Sequence, residues 1–170
     1  MKGYAKQVVI RLFLLLTLAI IGFPVFDKIL TPLTFYLSYL TLFYANPQIL
    51  TSTTLIINEQ VLRFVSACTA TGAYLLLAFL ILLTKDCKKP FLLFFKGAAI
   101  ILIANLIRIH FLIILLLQGK QNYFETLHVI IWQLLSTLFV AGLWIYLTKK
   151  NNIKTIPIYD DIKTLVKNLK

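Results

Sequence analysis

Cys68, Arg108 and His128 are the side chains of this 170-residue chain whose types combine into a reaction centre. A thiol is a weak nucleophile until a neighbouring base or cation favours the thiolate. His128 can take that proton and later return it to a leaving group. Arg108, always charged, can hold the thiolate or the oxyanion of a tetrahedral intermediate. The chemistry these residues suit is acyl transfer through a thioester. Asn105 stands three residues before Arg108, on nearly the same helical face, where its amide can orient the guanidinium or a substrate backbone. Each residue also has a plainer reading: a cysteine flanked by Ala67, Thr69, Ala70 and Gly72 as a packing residue, an arginine paired with carbonyls, an inert interfacial histidine.

The other candidates are weaker. His110 follows Arg108 by two residues, about 200° around a helix, and reads as structural. Lys96 and Arg11 lie near the ends of apolar runs, where a long side chain reaches the headgroup layer. Cys87 falls in a lysine-rich turn remote from Cys68.

The elements that must carry these residues follow from composition. Apolar residues make up 60% of the chain and charged ones 14%, with a mean hydropathy of +0.89. A soluble domain has about 45–50% and 25%. A water-soluble fold is excluded, and the net charge of +11 lies between and after apolar runs instead of on a polar nucleic-acid-binding face. Apolar runs at 8–26, 29–44, 67–83, 91–117 and 128–147 predict an all-α, polytopic transmembrane bundle of about five spans over residues 1–148. A basic cytoplasmic tail, 149–170, follows and carries a short amphipathic helix after Pro157. The second run is short and has Pro32 in its first turn. Two full spans there would place Lys2, Lys6 and Arg11 outside, whereas a re-entrant segment would return them to the cytoplasm. The lysines at 85–89 and after Leu147 belong inside, and the 45–66 and 118–127 connections outside.

At 1.5 Å per residue, Cys68 stands roughly 22 Å above the inner end of its run, Arg108 roughly 26 Å and His128 roughly 28 Å. Alternating helix directions bring all three to one outer-leaflet layer.

Ala67-Cys68-Thr69 opening one run, Asn105-Leu106-Ile107-Arg108 late in the next and His128 opening the last resemble the archaeosortase/exosortase family of polytopic cysteine transpeptidases. The resemblance covers roughly residues 66–147, and its order, spacing and shared depth carry it. It implies Cys68 as nucleophile, Arg108 as the stabilising cation, His128 as acid and base, with Asn105 and Thr69 at the substrate. It implies cleavage near the outer face of proteins bearing a C-terminal sorting signal with an apolar helix and basic tail, and transfer to an acceptor such as a lipid, without metal or cofactor. Many relatives are longer, follow the Cys-Ser/Thr pair with Gly where this chain has Ala70, and can carry Arg at the position of His128. The competing expectation is a non-enzymatic small membrane protein, a transporter-like subunit or assembly factor, with Arg108 and Asn105 lining a polar path. Against it, the five runs contain no acidic residue.

Overall fold

The computed structural model describes residues 2–84, 87, 89–130 and 136–153. In chain order they form α1 (Lys2–Thr41), a 3-10 turn (Phe43–Ala45), β1 (Gln48–Thr51), β2 (Thr54–Ile57), β3 (Gln60–Arg63), α2 (Ser66–Thr69), α3 (Thr71–Leu83), α4 (Pro90–Leu117), α5 (Gln121–Ile130) and α6 (Ser136–Lys150).

The five-span all-α bundle is overturned on two counts. Among the described residues only α1, over Val8–Thr41, and α4, over Pro90–Leu117, are long and apolar enough to cross a membrane, and residues 48–63 form a three-stranded antiparallel sheet. The first two expected spans are one helix of 40 residues, about 60 Å long. Asp27 and Lys28, which stand between the two runs, lie inside it, as do Pro24 and Pro32. Proline removes one backbone donor and is tolerated in an apolar helix when neighbours make good the freed groups. The third expected span is divided at Ala70 into α2 and α3, and α3 at 13 residues reaches only about 20 Å. The fifth runs from α5 into α6 through residues 131–135, which lie outside the described residues. The expected amphipathic tail helix and most of the lysine-rich 85–89 turn lie outside the described residues.

The sheet has local causes. Asn46, at φ 45°, ends the 3-10 turn and Pro47 follows it. Asn58 and Glu59 both take positive φ, 46° and 66°, between β2 and β3, the requirement of a two-residue hairpin turn whose twist matches its strands. Strand order is β1-β2-β3, with Leu55 opposite Leu62 and Ile57 opposite Gln60. Leu55 and Ile57 bury under the sheet with Phe35, Leu42, Phe64, Ile109 and Ile113, so the hairpins cap one end of α1 and α4. A second cluster fills the other end, where Tyr74 and Leu77 of α3 meet Leu93 and Ile101 of α4 and Val140, Leu143 and Leu147 of α6. Gly97 allows the close approach there: a Cβ on it would lie 2.6 Å from Leu77 Cδ2 and 3.1 Å from Leu147 Cδ1.

Candidate functional site

α4 positions the site because its buried residues recur at helical spacing: Gly97, Ile101, Asn105, Ile109 and Leu112 or Ile113. Asn105 therefore occupies the stripe facing the core, 4% exposed, and Arg108 stands on its edge one turn further on. Opposite them runs α2, a single turn closed by hydrogen bonds from Cys68 N and Thr69 N to the Val65 carbonyl at 2.7 and 3.3 Å. Asn105 Nδ2 donates to the Cys68 carbonyl at 2.7 Å, and Arg108 Nη2 donates to the Ala67 carbonyl at 3.0 Å. Two polar side chains of α4 thus hold the last carbonyls of the turn that bears the thiol. A short helix ends with unsatisfied carbonyls, and these donors supply their partners.

Cys68, Arg108 and His128 line one cleft of about 80 Å³, with Leu62, Arg63 and Phe64 on one side and Ile109, Leu112 and Ile113 on the other. Residues 40 and 20 apart in sequence come to one place because α2 packs on α4 and α5 folds back on the end of α4. The cleft holds two guanidinium groups and no carboxylate among its described lining residues, so it suits an anionic or oxyanionic group. Arg63, at the end of β3, was missed as a site residue in the sequence reading. The signal that could have found it is the hairpin: once Asn58-Glu59 is read as the turn, Arg63 falls at a strand end five residues before Cys68.

Asn105 and Thr69, expected to touch substrate, stand behind the cleft wall. Asn105 is turned toward the Cys68 carbonyl, and its Oδ1 has no hydrogen bond among the described residues. Thr69 is fully buried, its Oγ1 3.0 Å from the Ser66 carbonyl oxygen and 2.7 Å from Thr71 Oγ1. Thr71 Oγ1 donates to Asp27 Oδ1 at 3.2 Å, and Thr31 Oγ1 donates to the same oxygen at 3.3 Å. A polar chain therefore joins the middle of α1 to the turn carrying Cys68. Asp27 corrects the expectation that the apolar segments hold no acid: it is a carboxyl group within α1. His110 binds within its own helix, Nδ1 2.8 Å from the Leu106 carbonyl oxygen, with its ring against Tyr44. Cys87 lies beyond the far end of α3 from Cys68, and both thiols are free. Among the described residues no group of His, Cys, Asp and Glu could hold a metal ion.

Comparison of the chain with protein-family models, curated proteins and solved structures returned no match.

Proposed function

We propose that this protein is a membrane-embedded cysteine acyltransferase of sortase type, which cleaves a polypeptide near Cys68 and passes its acyl group to an acceptor nucleophile. The observation that supports the reading is the cleft shared by the Cys68 thiol, the Arg108 guanidinium and the His128 imidazole. His128 takes the thiol proton as Cys68 Sγ attacks the scissile carbonyl, whose oxygen becomes an oxyanion beside Arg108. Collapse breaks the C–N bond, His128 returns the proton to the departing amine, and a thioester remains on Cys68. An acceptor amine or hydroxyl then attacks the thioester, its proton passes to His128, and the thiolate is expelled and reprotonated. The substrates are proteins with a C-terminal apolar helix and basic tail, the acceptor is a nucleophile such as a lipid headgroup, and the cleft opens on the extracytoplasmic side of the cell membrane.

The test is co-expression with a reporter ending in an apolar helix and a Lys/Arg cluster. Processing should be lost, by a factor of a hundred or more, in Cys68→Ala and Arg108→Ala, as for removal of a nucleophile or an oxyanion donor (roughly 10²–10³ or greater). Cys87→Ala should process normally. Full processing by Cys68→Ala would overturn the proposal.

One observation favours a second reading, a polar path without covalent chemistry: Asp27 within α1, linked through Thr71 and Thr69 to the same turn. Under that reading Asp27→Asn abolishes function while Cys68→Ala does not, the reverse of the order expected for the acyltransferase.

A further inference from the structure

At the end of α4 away from Arg108, a second cleft of about 450 Å³ opens between α4 and α6. Lys96, Ala99 and Ile100 form one wall, at helical spacing, and Tyr146, Leu147, Lys150 and Asn151 the other. Lys96 precedes Arg108 by 12 residues, about 18 Å along the helix, so this cleft is separate from the one at Cys68.

Its walls divide by chemistry. Ala99, Ile100 and Leu147 make an apolar floor, and two ammonium groups stand at the rim. Lys150 Nζ is placed by Tyr146, whose hydroxyl lies 3.3 Å away and whose ring centroid lies 5.5 Å away. Lys96 makes no hydrogen bond or ion pair among the described residues, and no described carboxylate lines the cleft. Two like charges are thus brought to one opening by helices that could have turned them apart. Two ammonium groups at one opening, with no described carboxylate beside them, make it electropositive and favour an anion there. An anion that also covers an apolar floor between two helices has a polar head and a hydrocarbon body.

We propose that this cleft binds one anionic phospholipid, its phosphate between Lys96 Nζ and Lys150 Nζ, within reach of the Tyr146 hydroxyl, and its glycerol and upper acyl carbons along Ala99, Ile100 and Leu147. The ligand bridges α4 and the C-terminal end of α6. The proposal rests on the membrane reading of α1 and α4 and is independent of the chemistry at Cys68.

The experiment is native mass spectrometry of the full chain in non-ionic detergent, titrated with palmitoyl-oleoyl phosphatidylglycerol or the matching phosphatidylcholine. The wild type should retain one phosphatidylglycerol in preference to phosphatidylcholine. Lys96→Gln and Lys150→Gln should each weaken that binding about fivefold, and the double variant about 30-fold, from about 1 kcal/mol per basic residue near a lipid surface. Lys149→Gln removes the same charge one residue outside the cleft and should change binding less than twofold. Equal loss in Lys149→Gln and Lys150→Gln would overturn the proposal in favour of undirected surface charge. Equal retention of the two lipids would overturn it outright, and displacement by an equal concentration of soluble glycerol phosphate would assign the site to a free anion. Failure of the membrane reading is seen separately, as release of the protein from membranes by alkaline carbonate.

Discussion

Asn105 shows how one amide can set the position of a thiol it does not touch. Its Nδ2 holds the Cys68 carbonyl at 2.7 Å from a site 4% exposed, where no water replaces a lost donor. Asn105→Leu keeps the shape and removes the donor, leaving a buried carbonyl unsatisfied at about 1–3 kcal/mol. We expect the thermal midpoint in detergent to fall accordingly and processing of a reporter to fall with it. Asn105→Gln, which can still donate, should recover part of both. An Asn105→Leu protein with unchanged melting would show that the bond carries nothing. Arg108 differs in kind, since it reaches the cleft and the Ala67 carbonyl together. Arg108→Lys keeps the charge but not the fork of donors, and is expected to retain fold while losing most processing.

At the scale of elements, the decisive feature is the left-handed residue between α2 and α3. Ala70 has φ 56° and ψ 30°, which lets the chain close one turn around Cys68 and begin a new helix at Thr71. For an L-residue with a Cβ this conformation costs roughly 1–2 kcal/mol. Ala70→Gly removes that strain but adds unfolded-state entropy of roughly 0.5–1 kcal/mol and loses the burial of a methyl group, so its melting point should stay within a few degrees of wild type. Ala70→Val cannot adopt the turn without a severe clash and should destabilise by more than about 2 kcal/mol. Stability of Ala70→Val equal to wild type would mean the turn is not as described. The position directly follows the Cys68-Thr69 pair, and its left-handed backbone is one that glycine adopts without strain. Cys68, Arg108 and His128 line one cleft as expected, but not through the helical rise that suggested it, because the run from Ala67 to Leu83 is broken at Ala70 into two helices. The sheet was not legible in the sequence, because its strands are only four residues long, β1 and β3 are mixed in polarity, and β2 is joined to β3 by Asn-Glu in place of the more telling Asn-Gly. Nor was the continuity of α1, because Asp27 looks like a helix break until its partners Thr31 and Thr71 are known.

Across the whole molecule, α1 decides how the chain is threaded. Val9, Phe13 and Ile20 are 64%, 67% and 69% exposed on a helix whose apolar character runs from Val8 to Thr41, a surface that water would not tolerate and hydrocarbon would. The C-terminal end of α1 lies with the sheet, through Phe35 and Leu42, and so does the Arg108 end of α4, through Ile109 and Ile113. Lower down, Phe26 of α1 meets Phe94 near the start of α4 at 5.9 Å between ring centroids. Were α1 to cross once, Lys6 would stand at the same end as Cys87, Lys149 and Lys150, without the conflict with lysine-marked sidedness that two passes would create. Labelling can decide between one pass and two. In a Cys68→Ser background, Lys6→Cys and the native Cys87 should react alike with a membrane-impermeant maleimide, both protected in intact cells and both exposed once the membrane is opened. Opposite behaviour would require α1 to turn back on itself. The reaction must be followed over a pH series, because burial pushes the Cys87 thiol above its ordinary value of 9.0 despite a backbone hydrogen bond from Lys89. A raised value means less thiolate at any given pH, so Cys87 should label more slowly than position 6 at neutral pH and gain relative to it as the pH rises past 9. If both thiols label at one side but with the same pH profile, the single pass stands and the packing around Cys87 does not.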